Sequence, residues 1–552
     1  MSPTHGGRLG VAVLLAALFL QEVLSMRLLT ASSDEAEHLS AGYSYLETGD
    51  FRLNPQHPPL IKTLAAVPLL FLDTRFNLDD PNWKSDPPRA VPFGVTFLYT
   101  NDADRLLFWG RLAIVCLSLL LGVYVYKWAR ELFGAPAGLM ALFLYSFCPN
   151  IIAHSRVITM DVGLSCFFVI SLYYLWRFVR RGGNGNRLAA GAALGLALAS
   201  KFSAVILLPT YALILAAAVF WPSNVQLFLR RQQTQRGAKR KAKQHNVLVP
   251  INLRSRITSA ASVYLLLLVV AGIVVYAAYF FPSDPLVYWK GASLVNKDHN
   301  PEYQYYLLGH FKQGRWWYYF LVAFLIKTPI PTLILLALSL VLYKKYHGES
   351  WLDEAFLILP TLIFVAFTSA LADDIGLRYL LPIYPLIFIF VSRLASFFFR
   401  NRLQAVLAVS LGAWYLFAGL HMYPDYLAYF NELIGGPERG YKYLDDSNID
   451  WGQDLKRLKA YMDGHGIENI NVLYPWNASP AYYGIKGRSV TPDEYYGKPS
   501  QGIYAISTHA LIRGELSAEV QKVNSDWLRR YKPIDRVGYS FYIFKFDKPG
   551  GP

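Results

Sequence analysis

The sequence predicts an α-helical membrane protein that crosses the bilayer about eleven times and carries a small external α/β domain at its C-terminus. Of the 552 residues, 54% are hydrophobic, 15% are aromatic and only 16% are charged, and the mean hydropathy is +0.26. A soluble globular chain could not bury this much apolar surface. Two further observations support this fold class: a series of long apolar runs, and a charge pattern that alternates between the connecting loops.

Apolar runs follow one another along the first 423 residues, and most approach the roughly 20 residues that a helix needs to span a bilayer. The single-span runs cover residues 9–29, 106–126, 137–149, 161–178, 259–281, 317–343, 355–371, 379–399 and 403–423. Residues 188–221 form a longer run whose two flanks are both basic. The chain is therefore expected to cross the membrane twice there, with a turn near Lys201 on the external side.

The distribution of charge predicts the orientation of the chain. Lysine and arginine gather in short loops, most densely in residues 223–258, which contain no acid. Positively charged loops stay on the cytoplasmic side, so this loop and the N-terminus are expected to be cytoplasmic. Residues 32–105 carry an excess of acids and form an external loop. The net charge of +15 alone would suggest a nucleic-acid partner, but its distribution among the loops argues against one. We therefore expect a multi-pass protein of the cell (inner) membrane, with no nucleic-acid partner.

The composition changes after residue 423. Residues 424–552 contain alternating charges, turn sequences and short strand-like runs at 470–473 and 541–544. Residues 454–462 have helical apolar spacing. We therefore divide the chain into a transmembrane domain, residues 1–423, and an external α/β domain, residues 424–552.

The predicted topology brings charged side chains together at the external face of the membrane. Two adjacent carboxylates follow the first span, where a carboxylate is costly unless it has a function. A carboxylate can act as a general base on an acceptor hydroxyl or amine, and a cation can stabilise a leaving phosphate. We therefore expect group transfer from a lipid phosphate. The candidate site residues are Asp34, Glu35, His57, Arg156, Asp161, Lys201, Arg378 and Tyr379.

Seven of these eight side chains also have a structural interpretation. The two carboxylates after the first span would solvate a helix end, and Asp161 would cap the helix that follows it. Lys201 would extend to the lipid headgroups. His57 would be an ordinary loop residue, and Arg378 with Tyr379 would anchor a span at the interface. The residue types and the topology leave both interpretations open.

Six motifs along the chain resemble those of a known superfamily. The first external loop, SSDEAEHLSAGYSYLETGDFRLNPQHPPLIK, resembles that of the protein O-mannosyltransferase and aminoarabinose transferase superfamily, membrane glycosyltransferases of the C-type fold. SRVITMD resembles its second acidic motif, ALASKFSAV its short-helix lysine motif and RYLLPIYPLIF its late arginine–tyrosine motif. YYLLGHFKQGRWWYYFLVAFLIKTPIPTL and DSNIDWGQDLKRLKAYM are similar to a bacterial branch of the superfamily.

The resemblance implies a hexosyltransferase, with mannose as one candidate sugar, that uses a polyprenyl-phosphate-linked donor and inverts the anomeric carbon. The implied acceptor is an external protein hydroxyl, lipid or glycan. By resemblance, Asp34 is the catalytic base, with Glu35 beside it in the acceptor or metal environment. Asp161 is a second acidic site residue, and Lys201 and Arg378 match positions near the lipid phosphate. No metal-ligand spacing is recognisable, and a divalent metal held by Glu35, His57 and Asp161 stays open.

Two other classes of protein fit parts of the pattern. A lipid-linked sugar flippase or transporter would also place cations near a lipid phosphate, but it commonly shows inverted repeats, and no two-fold repetition is evident in the sequence. A non-catalytic envelope assembly protein would use the external domain for binding and would not depend on Asp34. The ordered motifs favour the glycosyltransferase.

Overall fold

The computed structural model describes residues 5–221, 225, 229–235, 244–250, 252–297, 302–346, 350–398, 400–520 and 527–549. Part of the basic loop predicted at residues 223–258, including Lys241, lies outside these residues. The membrane part contains helices α1 His5–Met26, α2 Glu35–Thr48, α3 Leu60–Ala66, α4 Pro81–Lys84, α5 Ala90–Tyr99, α6 Ala103–Phe133, α7 Ala135–Ser146, α8 Pro149–Ser155, α9 Met160–Arg181, α10 Asn184–Ser200, α11 Leu207–Phe220, α12 Leu253–Ala278, α13 Val287–Lys297, α14 Tyr319–Lys327, α15 Ile330–Val341, α16 Trp351–Leu371, α17 Ile383–Val391, α18 Ala395–Phe398 and α19 Arg402–Leu420.

The C-terminal part contains four further helices: α20 Leu455–Gly464, α21 Pro492–Tyr496, α22 Thr508–Val520 and α23 Trp527–Arg530. The strands are β1 Leu229–Gln235, β2 Gln244–Pro250, β3 Gln304–Leu307, β4 His310–Gln313, β5 Ile470–Leu473, β6 Gly487–Ser489, β7 Gly502–Ser507, β8 Asp535–Val537 and β9 Phe541–Phe546. Strands β1–β2 and β3–β4 each form an antiparallel hairpin.

Seven helical segments among the described residues are long and apolar enough to cross a membrane, and they include α1, α6, α9, α11, α12, α16 and α19. Two bent pairs, α7–α8 and α14–α15, raise the count to nine if each pair is one span. These findings confirm a polytopic helical membrane protein. The prediction of about eleven spans exceeds this count because it also included α10, which has 17 residues, and the short apolar segment Ile383–Phe398.

In each bent pair, a proline lies where the second helix begins. Pro149 is the first residue of α8, and Pro329 is the N-cap of α15. Proline lacks a backbone N–H and cannot continue a helix without losing a hydrogen bond. The pairs are bent by 61° and 110° respectively. The sequence interpretation took residues 137–149 and 317–343 as single runs and did not predict these bends.

The external loop predicted at residues 32–105 contains helices of its own. Helix α2 packs between α3 and α5, and glycines permit the close approach. A side chain at Gly42 would meet the carbonyl group of Lys62, and one at Gly94 would meet the carbonyl group of Ala36. Because only glycine allows the backbones to come this close, these contacts fix the position of α2, whose first turn follows Asp34.

The C-terminal part contains a five-stranded mixed sheet with strand order β6-β5-β7-β9-β8. Strand β5 is parallel to β6 and β7, whereas β9 is antiparallel to β7 and β8. The strand-like runs and the helix predicted from the sequence correspond to β5, β9 and α20. The α/β character of this region is therefore confirmed.

The C-terminal part packs directly on the segment that follows α1. The backbone N–H of Thr30 donates to the carbonyl of Gln453 at 2.8 Å, and that of Ser33 donates to the carbonyl of Trp451 at 3.0 Å. The amide of Asn477 donates to the carbonyl and hydroxyl oxygens of Ser33, each at 3.1 Å. Consequently the C-terminal residues form one wall of the region around Asp34.

Candidate active site

Asp34 lies in the turn between α1 and α2, at the N-cap position of α2. Its side chain makes no capping hydrogen bond. Instead, Oδ2 accepts a hydrogen bond from Nη1 of Arg378 at 3.0 Å. The Asp34 side chain is 26% exposed, so the carboxylate is held in place and still accessible. This arrangement does not fit the structural interpretation in which Asp34 only solvates a helix end.

Asp161 and Lys201 form a second ion pair. The Lys201 Nζ atom lies 2.7 Å from Oδ1 of Asp161. Asp161 lies in the first turn of α9, where the helix dipole also favours a carboxylate. The N-cap of that helix is Thr159, so Asp161 does not occupy the capping position. Lys201 lies at the break between α10 and the 3-10 turn Phe202–Ile206.

Tyr379 joins the two ion pairs. Its ring centroid lies 4.3 Å from Nζ of Lys201 and 5.5 Å from the guanidinium carbon of Arg378. The ring centroid of Trp451 also lies close to the guanidinium carbon, at 4.2 Å. Contacts of this kind with an aromatic face stabilise a cation. The structure therefore brings the predicted residues Asp34, Asp161, Lys201, Arg378 and Tyr379 into one cluster.

Arg378 stays charged and keeps one donor unused. Burial lowers the pKa of Arg378, but Asp34, Tyr379 and Asp161 outweigh burial and raise the pKa above its ordinary value. Its buried Nε has no hydrogen-bond partner among the described residues. A buried unpaired donor is costly, and a bound ligand with an acceptor oxygen would satisfy it.

Two histidines lie beside the cluster. The ring of predicted residue His57 lies 5.3 Å from that of His38, nearly perpendicular to it. Burial lowers the pKa of both imidazoles, with further lowering from Lys62 and Arg378, although Asp34 partly raises that of His38. Both rings are therefore neutral near pH 7. The sequence interpretation missed His38, although its position one helical turn after Asp34 was a usable signal.

Glu35 lies in a buried ion pair next to Asp34. It is 0% exposed, and Arg111 donates to its two oxygens at 2.8 Å and 2.6 Å. The backbone N–H groups of Ser32 and Ile158 donate to the same carboxylate at 2.8 Å and 2.9 Å. Successive residues at a helix start point in directions about 100° apart, so Asp34 and Glu35 face different surroundings. Glu35 is thus buried and ion-paired next to Asp34, and its predicted place in the acceptor or metal environment stays a prediction.

Two further expectations concern Arg156 and a divalent metal. The contacts of Arg156 are with the segment after α19. Arg156 donates from Nη1 to the carbonyl of Pro424 at 2.6 Å and packs against the ring of Tyr426 at 5.2 Å. It therefore anchors the segment after α19. Within the described part of the chain, no group of three or more His, Cys, Asp or Glu side chains could hold a metal ion.

The segment between α19 and α20 supplies residues that the sequence interpretation did not assign to the site. The side chain of Asn448 accepts from the backbone N–H of Leu377 at 3.0 Å, and the hydroxyl of Ser447 donates to the carbonyl of Ile375 at 2.8 Å. These bonds place Trp451 against Arg378. The signal was present in the motif DSNIDWGQDLKRLKAYM, which was used only to recognise the superfamily.

The cluster combines an accessible carboxylate with two cations at one end of the helices. The two carboxylates and the two cations cancel in charge, and Arg378 retains an unused donor. Such an arrangement can accept a proton from a hydroxyl group and stabilise negative charge that develops on a phosphate.

Several solved structures resemble the chain at low sequence identity. ArnT from Cupriavidus metallidurans, bound to undecaprenyl phosphate, is 13% identical with a TM-score of 0.46, and the match covers 97% of each chain. The oligosaccharyltransferase AglB from Archaeoglobus fulgidus is 12% identical with a TM-score of 0.43, over 97% of this chain and 74% of that one. The Pmt1-Pmt2 complex of S. cerevisiae, bound to the sugar donor, is 16% identical with a TM-score of 0.35, over 53% and 35%.

No curated protein matches the chain in sequence. Residues 103–229, however, match the sequence model of the family described as dolichyl-phosphate-mannose-protein mannosyltransferase. The matched segment includes Asp161 and Lys201, which form one of the two ion pairs of the site. The family match thus confirms, over residues 103–229, the resemblance to the protein O-mannosyltransferase superfamily of membrane glycosyltransferases that the motifs predict.

Proposed function

We propose that the chain is an integral membrane glycosyltransferase that moves a hexose from a polyprenyl-phosphate donor to an external acceptor with inversion. The observation that carries the proposal is the cluster around Tyr379, in which the accessible carboxylate of Asp34 lies 3.0 Å from the guanidinium of Arg378. The family description names a dolichyl-phosphate-mannose donor. This description supports a lipid-phosphate carrier and makes mannose the first sugar to test.

The reaction is a single displacement. Asp34 accepts the proton of the acceptor hydroxyl as its oxygen attacks the anomeric carbon. A bond forms between that oxygen and the carbon, while the bond from the carbon to the phosphate oxygen breaks. The bonding electrons leave with the phosphate. Attack opposite the leaving group inverts the anomeric configuration.

The charges of the cluster suit this displacement. Before the reaction, Asp34 is an anion and the donor phosphate carries one negative charge. Afterwards Asp34 is neutral and the phosphate carries the additional charge. Arg378 contacts Asp34 in the free protein and has an unused Nε donor. Its positive charge therefore stabilises the Asp34 carboxylate before the reaction and the phosphate as negative charge develops on it. Fixed cations at the site of developing charge lower the barrier.

The proposal includes an orientation. The cluster lies on the external side of the membrane, the N-terminus is cytoplasmic, and residues 424–552 form an external domain that covers the acceptor side. Hydrogen bonds from Asn477 to Ser33 and from Ser33 to Trp451 support this role, because they join the C-terminal part to the residues directly before Asp34.

The lipid that co-purifies with the protein tests the function directly. Mass spectrometry of this lipid should show a polyprenyl phosphate that carries a hexose, and incubation of purified protein with synthetic polyprenyl-phosphate mannose should release polyprenyl phosphate. A flippase would bind such a lipid and leave the sugar–phosphate bond intact. An assembly protein would do neither. Lack of cleavage of every hexose donor tested would contradict the proposal.

A further inference from the structure

Side chains of α2 hold both backbone groups of Ile158. The N–H of Ile158 donates to Oε1 of Glu35 at 2.9 Å, and its carbonyl oxygen lies 3.0 Å from Nδ1 of His38. Ile158 belongs to the short segment between α8 and α9, three residues before Asp161. All of these side chains are buried, so the two bonds fix the start of α9 against α2.

The bond to Ile158 fixes the tautomer of His38. A carbonyl oxygen can only accept, so Nδ1 of His38 carries the proton and donates it to the bond. Burial lowers the pKa of His38, so the ring is neutral and Nε2 is unprotonated. Nε2 has no hydrogen-bond partner among the described residues, and Oε1 of Glu37 lies 3.9 Å away, beyond hydrogen-bond distance. His38 therefore acts on its surroundings through Nδ1.

His38 lies one helical turn after Asp34, on the same face of α2. Its backbone N–H donates to the carbonyl of Asp34 at 3.1 Å, which is the hydrogen bond of an α-helix. Residues four apart on a helix have their Cβ atoms about 5–6 Å apart. Two hydrogen bonds of His38, one to Asp34 and one to Ile158, thus connect the first carboxylate of the cluster to the segment that leads into Asp161.

The ring of His38 is itself held in place. It packs edge-on against the ring of His57, with the centroids 5.3 Å apart. The carbonyl of His57 accepts from Nζ of Lys62 at 2.8 Å. The same Nζ donates to the hydroxyl of Tyr45 at 2.7 Å and to the carbonyl of Asn54 at 2.6 Å. A buried lysine therefore fixes the loop on which the imidazole rests, and such supporting bonds are what hold a positioning side chain in one rotamer.

We propose that His38 is a positioning residue, whose Nδ1–H bond to Ile158 sets the separation between Asp34 and the ion pair of Asp161 with Lys201. The inference rests on the proposed function, in which Asp34 is the base and the cations of the cluster hold the donor phosphate. The reacting atoms must approach to about 3–3.5 Å, and a misplacement of about 1 Å can cost about 10² in rate. Loosening the start of α9 from α2 therefore lowers turnover without removing any group that touches the substrate.

Two amide substitutions separate the ring nitrogens of His38. The amide nitrogen of asparagine takes the place of Nδ1 and can donate to Ile158, whereas that of glutamine takes the place of Nε2. His38→Asn therefore keeps the bond, and His38→Gln and His38→Ala lose it. His465→Ala is the matched control, because Nδ1 of His465 also donates to a backbone carbonyl, that of Tyr461 at 2.9 Å. His465 is exposed and lies in the C-terminal part, outside the cluster.

The measurement is release of polyprenyl phosphate from the synthetic hexose donors that test the function, with polyprenyl-phosphate mannose first. In His38→Ala and His38→Gln, kcat should fall about 10²-fold. The donor KM should stay within about threefold of wild type, because the cations that bind the phosphate remain. In His38→Asn, kcat should stay within about fivefold of wild type, since the bond to Ile158 is kept. Both amide variants lose the ring, so a role in packing alone would lower kcat equally in the two.

A nitrogen NMR spectrum measures the tautomer without reference to activity. In protein that carries isotope-labelled histidine, the resonances that disappear in His38→Asn belong to His38. At neutral pH they should show a protonated Nδ1 and an unprotonated Nε2. The reverse tautomer would overturn the inference, because Nδ1 could not then donate to Ile158.

The kinetic outcomes distinguish this inference from the proposed function. Wild-type kcat in His38→Ala, or equal losses of kcat in His38→Asn and His38→Gln, would overturn the inference and leave the proposed function standing. Rescue by glutamine in place of asparagine would assign the role to Nε2 and would also overturn it. A wild-type protein that cleaves none of the hexose donors would overturn the proposed function together with this inference, whatever tautomer the spectrum shows.

Discussion

Adjacent carboxylates can lie in very different environments, as Asp34 and Glu35 do here. Asp34 is partly exposed and faces the cluster, whereas Glu35 is fully buried and bonded to Arg111. The sequence predicted a function for this pair, because two carboxylates directly after a span are energetically costly. It could not separate the two environments, because they depend on Arg111 and Arg378, which are distant in sequence and meet the pair only in the folded chain.

Asp34→Asn should abolish transfer and leave the protein folded. The amide keeps the volume and can still contact Arg378, but it cannot accept a proton. Loss of a general base lowers the rate by about 10² to 10⁴. The measurement is turnover of polyprenyl-phosphate mannose by purified protein, with Asp463→Asn, an exposed acid paired with Lys459, as the control. Wild-type turnover in Asp34→Asn would place the base elsewhere.

Glu35→Gln should instead destabilise the protein. Removing one partner of a buried ion pair leaves an uncompensated charge and typically costs about 3–5 kcal/mol. Here the orphaned charge would be Arg111, which is 2% exposed. Thermal unfolding in detergent should show a clearly lower Tm than for Asp34→Asn. A variant with wild-type Tm and no activity would instead support the predicted place of Glu35 in the acceptor or metal environment.

Neutralising Lys201 or Arg378 should weaken donor binding. A hydrogen bond to a charged group contributes about 1.5–3 kcal/mol, so Lys201→Gln and Arg378→Gln should each raise the donor KM about tenfold or more. Lys459→Gln, at an exposed ion pair, is the matched control. Unchanged donor KM and turnover in both site variants would favour the structural interpretation, in which Lys201 contacts the lipid headgroups and Arg378 anchors a span at the interface.

At the scale of elements, periodicity and charge predicted the spans and the C-terminal α/β region. Each apolar run corresponds to helices, because a span in lipid must be helical to satisfy its own backbone. The bends at Pro149 and Pro329 were not predicted, although proline was a local signal for both. The approach of the segment with Asn448 and Trp451 to Arg378 had no local signal, because tertiary hydrogen bonds to residues 375–377 create it.

Helix α22 binds the segment between α19 and α20 through an ion pair between His509 and Asp445, and this ion pair depends on pH. His509 on α22 binds Asp445 at 2.8 Å and faces Asp446, Arg513 and the ring of Trp476. The carboxylates raise the pKa of His509 above its ordinary value, although burial opposes them. Protonation of His509 therefore stabilises the folded state below its unfolded pKa of about 6.5, and this stability is lost as pH rises through the folded pKa.

The stability lost in His509→Gln should consequently be larger at pH 6 than at pH 9. Thermal unfolding of wild type and variant at both pH values measures this difference. Asp445 is charged at both values, because His509 and Arg513 lower its pKa despite its burial. An equal loss of Tm at both pH values would show that His509 contributes through packing alone.

At the scale of the whole molecule, the site requires Asp34, Asp161, Lys201 and Arg378 to share one side of the membrane. The folded chain satisfies this requirement, since the four residues form two ion pairs around Tyr379. Asp161 lies in the first turn of α9 and Lys201 follows α10, so the two residues can meet only if α9 and α10 run in opposite directions. The basic flanks of residues 188–221 predicted this arrangement from charge alone.

Cysteine labelling from outside intact cells should test this topology. In a chain whose three native cysteines, Cys116, Cys148 and Cys166, are replaced, Ser203→Cys at the external turn and Asp463→Cys in the C-terminal part should react with a membrane-impermeant maleimide. Lys241→Cys, in the basic loop, should react only after the membrane is permeabilised, because positively charged loops stay cytoplasmic. Labelling of Lys241→Cys in intact cells would show that the orientation is the reverse of the predicted one. The cluster around Tyr379 would then lie on the cytoplasmic side, where an external acceptor could not reach it.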